Sequence, residues 1–111
     1  MSKSYSFPMH ANILYALDRH NNIAPGARFS LLDAAILCFV KSFHENCQPF
    51  YISNKELSSI FLADANTIQR SLDRLVAAGL ITKRKEYVGK VPRRYLDYCP
   101  EAVDMLLREV Y

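Results

Sequence analysis

Residues 53–81 read Ser-Asn-Lys-Glu-Leu-Ser-Ser-Ile-Phe-Leu-Ala-Asp-Ala-Asn-Thr-Ile-Gln-Arg-Ser-Leu-Asp-Arg-Leu-Val-Ala-Ala-Gly-Leu-Ile. Ser53 is a good N-cap, and Glu56 three positions on completes the pattern of a capping box. Leu57, Ile60 and Phe61 then give a short helix with one apolar stripe. Asp64 is the next N-cap, and it opens a second helix with Ala65, Ile68, Leu72, Leu75 and Val76 on its apolar side. Gly79 stands where a left-handed residue closes a helix, and Leu80-Ile81 begins a strand. Two helices joined by so short a turn make a helix-turn-helix unit.

Working outward, Leu80 to Tyr87 and Lys90 to Tyr98 are two strand-like runs around a Val88-Gly89 turn, the pattern of a hairpin. Pro92 cannot donate to a ladder, so it belongs on an exposed edge or at a bulge near the tip. Pro100 suits the first position of a last helix, whose apolar stripe is Val103, Leu106, Leu107 and Val110. On the other side of the unit, Phe50-Tyr51-Ile52 is β-prone and predicts a small third strand. Ser30 to Asn46 is apolar on most sides, which marks the central buried helix, with Asp33, Lys41, Ser42, His44 and Glu45 on its exposed edge. Asp33 also imitates a capping box with Ser30. His10 to Asn21 carries Ile13, Leu14 and Leu17 on one helical face, and Asn21-Asn22 and then Pro25-Gly26 break that helix. Met1 to Met9 reads as a loose arm.

The predicted fold class is mainly α with a small β-hairpin (α+β), a winged helix-turn-helix. With 111 residues there is room for one core and one domain over residues 1–111. Its parts are a flexible arm at 1–9, the helix-turn-helix at 53–79, the wing at 80–98 and the C-terminal helix at 100–111. Residues 29 to about 98 resemble the winged helix-turn-helix domains of plasmid and phage replication initiators and replisome organisers. They are similar, more loosely, to MarR-type and GntR-type regulators. Leu31, Ile36 and Val40, then "ISNKELSSIF" and "NTIQRSLDRLVAAGLITKRK", carry the resemblance. The chain departs from it at Phe61-Leu62-Ala63-Asp64, where such domains carry Gly or a small polar residue in the turn. The resemblance implies a role in transcription regulation or in replication and partition control on a mobile element.

On a wheel of about 100° per residue, Asn66, Thr67, Arg70 and Arg74 fall opposite the apolar side of the second helix, with Gln69 and Ser71 on the flanks. These are the residue types that read DNA: Arg bonds a guanine edge, Asn or Gln an adenine edge, and Thr a thymine methyl or a phosphate. The same types also populate any solvated helix face. The hairpin holds Lys83, Arg84, Lys85, Lys90, Arg93 and Arg94 against Glu86 and Asp97, a local excess of four, which is larger than the whole-chain charge of +3. Charge segregated in this way suits a wing that grips phosphates or enters the minor groove, with Tyr87 and Tyr95 adding hydrogen bonds. It also suits an edge protected from aggregation. Ser53, Asn54 and Lys55 at the first helix start could hold a phosphate or serve as a plain cap.

The expected partner is double-stranded DNA, bound by a homodimer formed through the N- and C-terminal helices. The alternative is a winged helix that binds protein and no DNA. Half the residues are apolar, which fits a globular chain rather than a disordered one. No apolar run approaches the roughly 18 residues that cross a bilayer, and nothing in Met1–His10 reads as a secretion signal, so a cytoplasmic protein without membrane contact is expected. Cys38, Cys47 and Cys99 are irregularly spaced and make no disulfide framework. His44, Cys47 and Cys99 fall short of the four ligands of a structural zinc. The chain has no Gly-rich phosphate loop, HExxH or nucleophile elbow, so no metal, cofactor or catalytic group is expected.

Overall fold

Ser30 opens the central helix of the computed structural model, which describes residues 7–23 and 28–110. The hydroxyl of Ser30 accepts from the Asp33 amide and the Asp33 carboxylate accepts from the Ser30 amide, a complete capping box. From this start α2 (Leu31–Glu45) buries Ala34, Ile36, Leu37, Cys38, Phe39 and Val40. Around it lie α1 (Ala11–Ile23), α3 (Asn54–Phe61), α4 (Ala65–Ala77), β1 (Ile81–Val88), β2 (Val91–Tyr98) and α5 (Pro100–Val110). All these elements send side chains into one apolar cluster, among them Leu17, Phe39, Leu57, Leu75, Ile81, Leu96 and Val103. The expectations for Met1–Ser6 and for a break at Pro25-Gly26 lie outside the described residues, as does the Val110 side chain. Phe7, by contrast, is no loose end: its ring stacks on Phe39 at 4.7 Å.

Two positions of α2 are reversed from the sequence reading. Asp33, expected on the exposed edge, is completely buried, and Leu31, expected in the core, is 67% exposed. The reason is α4, which supplies Ser71 and Arg74 to the Asp33 carboxylate. That contact turns Asp33 inward and leaves Leu31 outside. Helix α1 runs on through Asn21-Asn22 to Ile23, because Asn21 is held by bonds of 2.7 and 2.8 Å to the Phe29 backbone instead of ending the helix. Helices α1 and α5 pack on each other within the chain.

Three helices end in the same way, through a residue in left-handed backbone. They are Cys47 (φ 56°) after α2, Leu62 (φ 54°) after α3 and Gly79 (φ 76°) after α4. In each case the following amide reaches back to the last turn: Gln48 to Phe43 at 2.9 Å, Ala63 to Ser58 at 3.1 Å and Leu80 to Leu75 at 3.1 Å. This is the Schellman arrangement, in which Gly usually takes the left-handed position. The turn of the helix-turn-helix therefore forms with Leu62 in the position that Gly usually takes.

The hairpin pairs Ile81 with Tyr98 at its base and Val88 with Val91 at its tip. Its turn is Gly89-Lys90 rather than Val88-Gly89. Val88, β-branched, stays in the ladder, and Gly89 takes the positive φ (65°) that the first residue of a two-residue loop favours. Pro92 is exposed opposite Tyr87. The expected third strand shrinks to one bridge, with the Leu96 amide bonded to the Phe50 carbonyl at 2.9 Å. Pro49 lacks a donor just before it and Ser53 already caps α3 just after it, so no room is left for a ladder. Among the described residues no helix is long and apolar enough to cross a membrane.

Two substitutions test this account in urea unfolding. Asp33→Ala strands the buried Ser71 hydroxyl and the half-buried Arg74 guanidinium and should lower stability by about 2–4 kcal/mol, the lower part of that range applying because Arg74 keeps some surface in water. Leu62→Gly relieves a left-handed Cβ and should raise stability by about 1 kcal/mol. A loss of stability on Leu62→Gly would contradict the strain argument.

Candidate nucleic-acid interface

Asp64 starts α4: its side chain accepts from the Thr67 amide at 2.7 Å. That bond and one from the Thr67 side chain hold the Asp64 carboxyl below its ordinary range. The buried side of the helix is Ile68, Ser71, Leu72 and Leu75. Asn66, Arg70, Asp73 and Ala77 are exposed, and Gln69 lies half-buried beside them. Spaced at i, i+3, i+4 and i+7, Asn66, Gln69, Arg70 and Asp73 make one outward stripe. Ala65, counted with the apolar side from sequence, is exposed at the first turn.

The predicted reading residues divide within this frame. Asn66 and Arg70 stand in solvent, whereas Thr67 is half-covered and bound to its cap. Arg74 does not join them. It points along the flank shared with Ser71, and its guanidinium donates twice to Asp33, at 2.8 and 2.9 Å. That hydrogen bonding raises its pKa further. The wheel separated an apolar from a polar side, but it could not tell which polar flank a second helix would cover. Asp73, overlooked in the sequence reading, was within reach of the same arithmetic: it lies seven residues beyond Asn66.

At the start of α3, Ser53 caps with its hydroxyl on the Glu56 amide at 3.1 Å. Lys55 is exposed. Asn54 is already engaged, since its amide donates to Gln69 at 2.8 Å and its oxygen accepts from Arg94. Arg94 also donates to the Ile52 carbonyl at 2.6 Å, and its burial lowers its pKa. Of the predicted contacts, Asn54 and Arg94 therefore join the helix-turn-helix to the wing rather than standing free.

Strand register sorts the remaining wing charges. In a ladder, alternate residues share a face. One face runs Ile81, Lys83, Lys85 and Tyr87, opposite Tyr98, Leu96, Arg94 and Pro92. Its base is buried in the core, and its outer part carries cations without an acid among these partners. The other face holds Arg84 and Arg93 with Glu86 and Asp97. There Arg84 bonds Asp97 at 2.7 Å and also pairs with Glu86, and these carboxylates raise its pKa. Arg84 lies 4.4 Å over the ring of Tyr95, Tyr51 lies 5.8 Å from Tyr95, and Arg93 lies 4.8 Å over Tyr51. Tyr95, expected to reach a phosphate, is buried in this stack, while Tyr87 is 65% exposed. The excess of four positive charges thus belongs to Lys83, Lys85 and Arg94 on one face and Lys90 in the turn. Tyr51 was not singled out from sequence, because its part depends on the Phe50–Leu96 bridge setting it beside Tyr95.

No protein-family profile matches the chain, and no curated protein matches it. Two solved structures resemble its fold. The transcriptional regulator BldR from Sulfolobus solfataricus has a TM-score of 0.52 at 19% identity over 88% of this chain. The chain spans 64% of BldR, less than two thirds. A possible transcriptional regulator from Methanosarcina mazei Go1 has a TM-score of 0.57 at 17% identity, over 96% of this chain and 86% of that one. At such identities the likeness is one of fold. Among the described residues, five helices and a two-stranded antiparallel hairpin, with the helix-turn-helix directly before the hairpin, make this an α+β winged helix-turn-helix.

The Asp64 cap sets a pH dependence. A carboxyl depressed in the folded state stabilises fully above its ordinary pKa, and that contribution is lost as the pH falls through the depressed value. Melting temperatures from neutral pH down to about pH 3 should therefore fall less steeply for Asp64→Asn, which caps without titrating, than for the natural chain. Parallel curves would deny the cap this role.

Proposed function

We propose that the chain binds duplex DNA sequence-specifically, with α4 in the major groove and the wing on adjacent phosphates. The observation that carries the reading is the uncompensated basic face at Lys83 and Lys85, with Lys90 at the tip, on a wing bonded through Arg94 to the helix-turn-helix. In helix-turn-helix docking the N-terminal half of the second helix meets the bases, which is where Asn66 and Arg70 lie. Arg70 is the guanine reader, and Lys55 joins the phosphate contacts beside Ser53. Arg93 adds charge at the edge of the wing, while Arg84 and Arg74 serve the fold.

The neighbours' descriptions favour transcriptional regulation, and a cytoplasmic place belongs to the same proposal. Replication or partition control on a mobile element is the other role that the resemblance in sequence supports. The chain acts as a single domain and as a homodimer. Leu14, Tyr15 and Leu31 around the start of α1 and α2, with Met105 on α5, are exposed apolar side chains suited to that contact. A two-fold dimer would read an inverted repeat with half-sites about one helical turn apart.

Fluorescence polarisation with random and genomic duplexes tests the reading. Arg70→Ala should weaken the specific site by about 1–3 kcal/mol and relax one base pair. Replacing Lys83, Lys85 and Lys90 together with Ala should weaken every sequence and flatten the salt slope by about 0.9 for each phosphate that the wing no longer neutralises. Arg84→Ala should leave that slope unchanged. Absence of binding at low salt by the natural chain would sink the proposal in favour of a protein-binding winged helix.

A further inference from the structure

The end of the wing is apolar on both sides. Val88 and Val91 face each other as the last pair of the ladder, 47% and 60% exposed. One pair below, Tyr87 faces Pro92, and both are exposed. By the two-residue period of a strand these two pairs lie on opposite faces of the hairpin. At about 3.3 Å per residue the tip stands roughly 23 Å beyond Ile81, the buried base of β1, so these side chains do not serve the core. A cross-strand pair of β-branched residues steadies a hairpin, but threonines would do so without offering apolar surface to water. Around the tip stand Lys85 on one face, Arg93 on the other and Lys90 in the turn, all exposed. The acid beside them, Glu86, pairs with Arg84. An apolar point ringed by cations suits an apolar slot between two negative rows. The minor groove has that form, with sugars and base edges between two phosphate backbones.

We infer that the wing tip is a wedge, with Val88 and Val91 opening the minor groove beside the α4 site and bending the duplex there. This rests on the proposed DNA binding and deepens it with a second determinant of specificity, the deformability of one base step. Two strands lie about 4.8 Å apart between backbones, and the atoms outside those backbones make the tip wider than a groove of about 6 Å. The tip therefore enters only where the groove opens. Valine has no hydrogen-bonding group for a base edge, so the discrimination lies in the work of opening. That work is least at the easily kinked pyrimidine–purine steps TA and CA/TG. Lys85 and Arg93, on opposite faces, then meet the two phosphate backbones. A wedge must also keep its shape. The Arg84–Asp97 pair and the contacts of Arg84 and Arg93 with Tyr95 and Tyr51 brace one face of the hairpin. Arg94 ties it to the start of α3 through Asn54 and the Ile52 carbonyl.

Two measurements on the full chain test this: energy transfer between dyes at the two ends of a duplex, and selection from a random duplex library. On its selected site the natural chain should bring the ends together, and one step outside the base pairs read by α4 should be TA or CA/TG. Replacing that step with AA should weaken binding about fivefold or more. Val88→Thr with Val91→Thr keeps both β-branches and every charge, so the salt slope should not change. This double variant should leave the duplex nearly straight and cut the step preference below about twofold, while the base pair read by Arg70 keeps its preference. Val91→Thr alone should lose part of the bend. A straight duplex under the natural chain, or no step preferred outside the α4 base pairs, would overturn the inference with recognition by Arg70 intact, and neither result needs a variant. A bend undiminished in the double variant would assign the bending to the cations and overturn it too. If that variant instead lost binding to phosphatidylserine–phosphatidylcholine vesicles while still bending DNA, the tip would belong to a lipid surface and the inference would fail. Failure of the natural chain to bind any duplex would overturn it together with the proposed function.

Discussion

One carboxylate governs where the outward stripe of α4 points. Asp33 accepts from the Ser30 amide, the Ser71 hydroxyl and two nitrogens of Arg74, while none of its own surface remains in water. A buried charge costs several kcal/mol unless it is fully bonded, so the arrangement tolerates little variation. Apolar packing of Ile68, Leu72 and Leu75 holds α4 against the core but leaves its rotation loosely set, because such contacts have no direction. Hydrogen bonds do have direction. With Ser71 and Arg74 turned to Asp33, the residues some 100° away, Asn66 and Arg70, can only face out. The same carboxylate closes the capping box of α2, so the start of the central helix and the aim of the second helix are set together.

The wing obeys a second constraint, the two-residue period of a strand. Its cations are intermixed in sequence, yet the ladder separates them. Lys83 and Lys85 share one face with Arg94, whereas Arg84 and Arg93 stand among Glu86, Asp97, Tyr51 and Tyr95 on the other. The balanced face stiffens the hairpin through ion pairs and cation–π contacts, individually worth about 1 kcal/mol or less where exposed. The unbalanced face projects a field. A wing stiff on one side and basic on the other keeps its charges in place without drawing them into internal salt bridges.

Much of this was legible from residue order. Ser30, Ser53 and Asp64 as caps, Gly79 as a stop and the two strands flanking Gly89 depend on interactions within a few residues, and they lie close to where local chemistry places them. The helix-turn-helix and its wing followed from these. Local chemistry was weaker where a distant partner intervened. Leu62 accepts a left-handed backbone because Ala63 and Ser58 bond across the turn, and Phe50 forms a bridge instead of a strand because its neighbours are committed elsewhere.

The interface divides along the same line. The sequence by itself determined which side of α4 is apolar and that the hairpin is basic, since both are periodicities of a single element. Only the tertiary structure decided which of the polar residues are free. Arg74 went to Asp33, forty-one positions away, Arg94 went to Asn54, forty positions away, and Asn54 took the oxygen of Gln69. An arginine or a glutamine has the same donors wherever it stands, and its bonding depends on what the fold brings within about 3 Å of it.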